Sequence, residues 1–111
     1  MLRPMSLRPP RGNSRSVQIV ALDYEIAQER ASALGRLGRA LEAALAALSD
    51  YDSAHAARDA ERAHLVQTAS DALWSYMVQR EACGLRDPRP VIRDYRVPAE
   101  VYAHMGVIAR C

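Results

Sequence analysis

Apolar residues recur every three or four positions along two long stretches of the chain, a pattern typical of helices that each bury one face. In the first stretch, residues 23–49, Asp23 can cap a helix and Glu25 suits its first turn. Residues 17–21 are either extended or the beginning of this helix. The second stretch, residues 54–83, ends where Gly84 can adopt the left-handed conformation that terminates helices. The polar segment 49–53 between them favours a turn. The pattern therefore predicts a long antiparallel helical hairpin.

Two short helices are predicted to follow the hairpin. Asp87 can cap the first, with Pro88 at its first position, and the second covers residues 98–106. Residues 72–78 are apolar almost all round, so a single neighbouring helix cannot bury them. We therefore expect the short helices to pack on the open end of the hairpin. There they would cover Trp74 with four apolar side chains, Val97, Val101, Tyr102 and Met105.

The fold class that we expect is all-α, with a single helical domain over residues 17–111. A chain of 111 residues has room for one core. Residues 1–16 are rich in Pro, Arg, Ser and Gly and are predicted to form a disordered basic tail. One long face of the hairpin would remain uncovered in a monomer. A homodimer that forms a four-helix bundle would cover it.

The composition excludes several classes of function. The net charge is +2, and all 15 basic residues are arginine, so no mechanism can use a lysine amine. No apolar run approaches the roughly 20 residues of a membrane span or forms a signal peptide, so we expect no membrane contact. Cys83 and Cys111 lack metal or redox spacing. We therefore expect a cytoplasmic protein without a cofactor or a metal.

The candidate site is a polar cluster at the open end of the hairpin. Arg30 lies on the apolar stripe of the first helix, where a charge needs a partner. If the hairpin turns near Tyr51, Arg30 is level with residues 72–76. The C-terminal segment would then add its own polar residues. Two interpretations remain open: an ion-pair network that holds the C-terminal segment, or a pocket for an anionic ligand, with Arg30, Arg80, Asp94 and Tyr95 as binding residues.

Gly35 and Gly38 lie inside the first predicted helix, where each costs about 1 kcal/mol relative to alanine. Gly38 falls within the apolar stripe, which predicts the close approach of a second helix there. The histidines offer only pairs, such as His55–Asp59 and Glu100–His104, with four-residue spacing. Two ligands do not make a zinc site, and no nucleophile accompanies either pair.

The segments QREACGLRD and VIRDYRVPAEV, residues 79–87 and 91–101, resemble a family of short alphaproteobacterial proteins classed as a domain of unknown function. The resemblance implies a bacterial, cytoplasmic origin and includes the C-terminal segment in the fold, but it implies no activity. The leading hypothesis is a small non-enzymatic interaction or assembly protein with an unknown protein partner. One alternative is an anionic-ligand sensor that uses the arginine cluster. Another is a nucleic-acid accessory protein, because residues 1–20 carry four arginines and no acid.

Overall fold

The computed structural model describes the backbone of residues 11–110 and the side chains of residues 15–106. Over that range the regular structure is entirely helical. The first two helices form an antiparallel hairpin, and the last packs on the second. The expected all-α class and the hairpin are confirmed, whereas the homodimer stays a prediction. In chain order the helices are α1 (Arg11–Ala54), α2 (Ala60–Ala82), α3 (Arg89–Asp94) and α4 (Ala99–Arg110).

Helix α1 is longer than predicted at both ends. It contains 44 residues, which corresponds to about 66 Å at 1.5 Å per residue. The predicted start at Asp23 is wrong, because nothing between Gly12 and Asp23 interrupts a helix. Residues 11–16, which we assigned to the tail, belong to α1, and residues 1–10 lie outside the described residues. Within residues 11–110, no helix is both long and apolar enough to cross a membrane.

The hairpin turn comes later than predicted. Residues 49–53 remain helical, and the turn covers residues 55–59. The Tyr51 hydroxyl explains the shift, because it donates to the Asp59 carboxylate at 2.5–2.6 Å while the ring is buried. Asp59 then caps α2 by accepting the backbone N–H of Arg62 at 3.0 Å. The pairing of the two long helices is therefore offset from the predicted one.

The end of α2 confirms the role predicted for Gly84. This residue has a φ of +85°, the left-handed conformation that glycine adopts without steric cost. The next amide, that of Leu85, donates to the Arg80 carbonyl at 2.8 Å, as in a Schellman motif. The chain can therefore reverse direction directly after α2.

The short helices differ from the prediction in detail. Asp87 accepts the backbone N–H of Arg89 at 3.0 Å, so it caps α3 as expected, although Pro88 precedes the first helical residue. The predicted end of the last helix at Gly106 is wrong, since α4 continues to Arg110. Gly106 does not have a positive φ, so it does not act as a terminator.

The core lies where α1, α2 and α4 meet. Leu41, Leu73 and Val101, one from each of these helices, are completely buried. The Ser70 hydroxyl contacts two backbone carbonyls there, at 2.8 Å within α2 and at 3.2 Å on Val101. Trp74, in contrast, remains 42% exposed. The side chains that we expected to cover Trp74 instead complete the core around Leu73, except Tyr102, which is also 42% exposed.

The predicted position of the C-terminal helices on the open end of the hairpin is wrong. Glu100, at the start of α4, forms an ion pair with Arg62 beside the hairpin turn. Val91, in α3, is buried in the core cluster nearer the middle of the hairpin. The chain therefore runs back from the open end towards the closed end. This arrangement leaves the N-terminal part of α1 without a covering helix among the described residues.

Candidate functional site

Two tyrosines pack over Gly38 at the middle of the hairpin. A Cβ atom on Gly38 would lie 2.8 Å from the hydroxyl oxygen of Tyr95 and 3.2 Å from Cε1 of Tyr76. The two rings have centroids 5.4 Å apart, and the Tyr95 hydroxyl donates to that of Tyr76 at 3.4 Å. Gly38 is therefore closely packed, but the predicted approach of a second helix backbone is wrong, because two tyrosine side chains of the same chain fill the space.

Arg80 lies close to this junction and is 8% exposed. Its Nη2 donates to the backbone carbonyl of Asp87 at 3.0 Å, and its Nε has no partner in the described part of the chain. The hydrogen bond with Tyr76 and burial raise the pKa of Tyr95 to about 12, although the nearby positive charge of Arg80 opposes the shift. Through its hydrogen bond to the Asp87 carbonyl, Arg80 helps to hold the C-terminal segment beside α2.

The structure brings together only part of the predicted cluster of Arg30, Arg80, Asp94 and Tyr95. Arg80 and Tyr95 are close enough for the positive charge of Arg80 to act on the Tyr95 hydroxyl. The Arg30 side chain is exposed, and only its backbone carbonyl is used, by Gln79 Nε2 at 3.1 Å. The Asp94 carboxylate pairs with the adjacent Arg93 at 2.9 Å. Because the turn is displaced, Arg30 is level with the last turn of α2, and ligand binding by these four residues stays a prediction.

A groove of about 690 Å³ lies between the C-terminal half of α1 and residues 94–98. Its charged lining consists of three carboxylates and one guanidinium, from Glu42, Asp52, Asp94 and Arg96. Asp52 is already engaged by another arginine outside the groove. Asp94 is likewise paired with Arg93, so the remaining lining charges, Glu42 and Arg96, cancel and the groove shows no charge preference for the anion that the sequence suggested.

Arg62 joins three helices beside the turn. Its guanidinium makes two hydrogen bonds to Asp52 of α1, at 2.8 and 3.2 Å, and two to Glu100 of α4, both at 2.9 Å. The Arg62 side chain is only 12% exposed. These hydrogen bonds lower the pKa of both carboxyl groups and raise that of the guanidinium. We call this set, Asp52, Arg62 and Glu100, the arginine clamp.

The histidines of the two predicted pairs make their closest contacts with other residues. His55 stacks on Tyr51, with ring centroids 4.2 Å apart, and Asp59 serves as the cap of α2. His104 Nε2 contacts the amide oxygen of Gln67 at 2.6 Å rather than Glu100. Among the described residues, no three potential metal ligands are grouped.

The Tyr51–Asp59 hydrogen bond predicts a late-titrating tyrosine. This bond, together with burial, raises the pKa of Tyr51 to about 12 from 10.0. Because the folded-state pKa is raised, the stabilisation is complete below pH 10 and is lost as the pH rises through about 12. We expect the ultraviolet titration difference between the wild type and Tyr51→Phe to have its midpoint near pH 12. A midpoint near the ordinary tyrosine value would contradict the hydrogen bond.

The last feature is the part of α1 that extends beyond α2. Cys83 and Gln79, at the end of α2, contact the Arg30 carbonyl. Residues 11–29 precede this contact, and we call them the projecting segment. They correspond to about 28 Å of helix. Every side chain described in this segment is exposed, including six large apolar ones: Val17, Ile19, Val20, Leu22, Tyr24 and Ile26 are 41–67% exposed.

A family model described as a family of unknown function, DUF6665, matches residues 6–111 of the chain. The chain belongs to DUF6665. The match includes the projecting segment and the C-terminal helices. It confirms the predicted resemblance to a domain of unknown function, while the alphaproteobacterial range stays a prediction. No curated protein and no solved structure shows a significant match to the chain.

Sequence reasoning missed both the arginine clamp and the projecting segment. Arg62 is one of 15 arginines, and its partners lie 10 and 38 positions away along the chain. The segment VQIVAL, residues 17–22, was a visible signal, since its large apolar residues placed it inside the predicted domain, where it was either extended or the beginning of the first helix. Only the structure showed that residues 17–22 are helical, because α1 begins earlier, at Arg11.

Proposed function

We propose that this DUF6665 chain is a non-enzymatic interaction or assembly protein that binds a protein partner through the projecting segment. The observation that carries the proposal is the exposure of six large apolar side chains on a helix that no other described element covers. Tertiary packing supplies most helical stability in proteins, so a helix whose described side chains are all exposed gains stability when a partner covers it. Burying one such side chain contributes roughly 1.5–3 kcal/mol.

The charge of the projecting segment favours a protein over a membrane surface. A helix that lies on an anionic membrane carries basic residues on its polar face. Here the polar face carries two acids, Glu25 and Glu29, beside Gln18 and Gln28, and the basic residues Arg11 and Arg15 are confined to the first turns of the segment. A protein partner can meet these groups with hydrogen bonds and counter-charges.

The cellular setting belongs to the same proposal. A cytoplasmic, alphaproteobacterial protein is supported by the resemblance of residues 79–87 and 91–101 and by the absence of disulfide spacing between Cys83 and Cys111. A non-enzymatic role is supported by the engagement of His55 and His104 in contacts with Tyr51 and Gln67, which leaves neither beside a nucleophile. Self-association is the form of assembly that we favour.

The test compares the masses of the wild type and of two variants in extracts of the native cells. The masses are measured by size-exclusion chromatography with light scattering. We expect the wild type in an assembly larger than its 12.3 kDa monomer. The double variant Leu22→Asp/Ile26→Asp should elute as the monomer, because each aspartate would be desolvated in the interface. The matched control is Val78→Asp on α2, where a side chain of similar exposure, 47%, lies outside the segment. A monomeric wild type, or a double variant that assembles normally, would refute the proposal.

A further inference from the structure

One face of α1 runs along both the projecting segment and the hairpin. Its members recur at spacings of three and four residues, apart from one gap of seven between Ile26 and Ala33 where Glu29 lies, so they form a straight stripe. At 100° per residue the stripe lies about 65° around the helix from Leu41 and Leu48, which α2 buries. We call it the outer face of α1. It consists of Ile19, Leu22, Ile26, Ala33, Leu37, Ala40, Ala44 and Ala47, all exposed or half-buried.

The sizes of these side chains change along the outer face. The large residues Ile19, Leu22 and Ile26 occupy its N-terminal part, where they are 41–56% exposed. The C-terminal part, from residue 33 to 47, is alanine except at Leu37. Alanine leaves shallow depressions in a helix surface into which large side chains of a second helix can fit.

The two parts match each other when two copies are placed antiparallel. With Ala33 at the centre, Ile19 lies opposite Ala47 of the second copy, and Ile26 lies opposite Ala40 of the second copy. The same spacing places Leu22 opposite Ala44. Ile19, Leu22 and Ile26 therefore each face an alanine, whereas Leu37 faces Glu29 of the second copy, and the twofold axis repeats the arrangement on the other side.

We propose that two copies of this chain pair antiparallel along the outer face of α1, with Ala33 on the twofold axis. This inference rests on the proposed function and specifies the occupant and register of the projecting segment. Each copy places its projecting segment against the alanine surface of the other copy's hairpin. The exposed Ile19, Leu22 and Ile26 are thereby covered, whereas Val17, Val20 and Tyr24 lie on another face of the helix.

The charges beside the outer face agree with the antiparallel direction. Glu29 and Arg36, which form an exposed ion pair at 3.5 Å, lie almost symmetrically about Ala33 on the same side of the helix. In the antiparallel pair, Glu29 approaches Arg36 of the second copy, and this contact occurs twice. A parallel pair would instead place equal charges together and alanines opposite alanines, which leaves the surfaces poorly filled.

Cysteine cross-linking tests the register. In a background with Cys83→Ser and Cys111→Ser, the variant Ala33→Cys places two thiols at the twofold axis. We expect mild oxidation of the purified protein to link most of it as a disulfide dimer. The matched control is Ala31→Cys, at an exposed alanine two positions earlier that lies on the opposite side of α1, and it should remain unlinked. Equal or stronger linking at position 31 would overturn the register.

A second pair of variants tests the contact without cross-linking. Ala40→Glu places a charge where Ile26 of the second copy packs, and we expect it to weaken dimerisation by roughly a hundredfold in sedimentation equilibrium. Ala31→Glu makes the same change on the opposite side of α1, where the side chain is also exposed, and should leave the dimer unchanged. Circular dichroism shows whether each variant keeps its helices. Equal effects of the two substitutions would overturn the proposal.

Failure of self-pairing is distinguishable from failure of the proposed function. If the purified wild type is monomeric while the protein in cell extracts is assembled through Leu22 and Ile26, self-pairing is wrong and the segment binds a different protein. If the purified protein dimerises but Ala33→Cys does not link, self-assembly stands and this register is wrong. A linked Ala33→Cys dimer together with a dissociated Ala40→Glu variant supports the proposal.

Discussion

Gly38→Ala is expected to destabilise the protein, whereas Gly35→Ala is expected to stabilise it. The new methyl group at Gly38 would lie 2.8 Å from the Tyr95 hydroxyl oxygen, so the two tyrosine rings must move. Overpacking of this kind costs about 1–3 kcal/mol. At Gly35 the nearest atom is the mobile guanidinium of Arg39, at 3.5 Å, and alanine gains about 0.5–1 kcal/mol in a helix. Urea unfolding of the two variants measures both changes.

A second substitution identifies the atom responsible. Tyr95→Phe removes the hydroxyl oxygen that the Gly38→Ala methyl group would contact. The double variant should therefore lose less free energy of unfolding than the sum of the two single variants. The contact of Cε1 of Tyr76 at 3.2 Å remains, so the rescue should be partial. Strict additivity, or equal effects at Gly35 and Gly38, would mean that the tyrosines do not pack on Gly38.

Arg62→Met is expected to lower the Tm by roughly 10 °C, an effect scaled from small domains of this size. Methionine retains an apolar stem of similar length but removes four hydrogen bonds to two carboxylates. Asp52 and Glu100 would then face each other without the intervening cation. Because the clamp joins α1, α2 and α4, the loss should also loosen α4, which hydrogen exchange can detect.

The matched control is Arg58→Met. The Arg58 side chain is 76% exposed and makes a single contact with Glu100 at 3.6 Å, so its removal should change the Tm little. If Arg58→Met and Arg62→Met lower the Tm equally, the arginine clamp is not what holds α4.

The clamp also predicts the acid dependence of stability. The pKa values of Asp52 and Glu100 are lowered from 3.8 and 4.5 by hydrogen bonds to Arg62. Because these folded-state values lie below the unfolded ones, the stabilisation is complete above the unfolded values and is lost as the pH falls through the folded-state values. The wild type should thus lose stability steeply below about pH 4.5, and Arg62→Met should show a shallower dependence.

The displaced turn shows why the candidate site was only partly predictable. The serines and aspartates of residues 49–53 favoured a turn, because local composition was the only information available. In the folded protein Tyr51 gains burial and a hydrogen bond to Asp59 by remaining helical. This tertiary contact changes the register of the hairpin. Arg30 therefore lies away from the tyrosines that it was expected to join. Arg80 lies on α2 itself and stays close enough to act on Tyr95.

Residues 93–96, which include the end of α3 and the link to α4, each have an identifiable role in the structure. Arg93 and Asp94 pair with each other, and Tyr95 packs on Gly38. Arg96 has a φ of +53°, the left-handed conformation that ends α3 and turns the chain towards α4. Tyr95 and the turn at Arg96 therefore position the C-terminal helices, whereas Asp94 pairs with Arg93 rather than with Arg30 or Arg80, and the pocket interpretation stays a prediction.

The sequence by itself determined the all-α class, the hairpin, the terminator at Gly84 and the need for close packing at Gly38. Each follows from local rules: helical periodicity, the steric freedom of glycine, and the cost of glycine in a helix. Only the tertiary structure decided the start of α1, the place of the turn, and the partners of Arg62. These depend on contacts between residues far apart along the chain, whose energies local patterns do not contain.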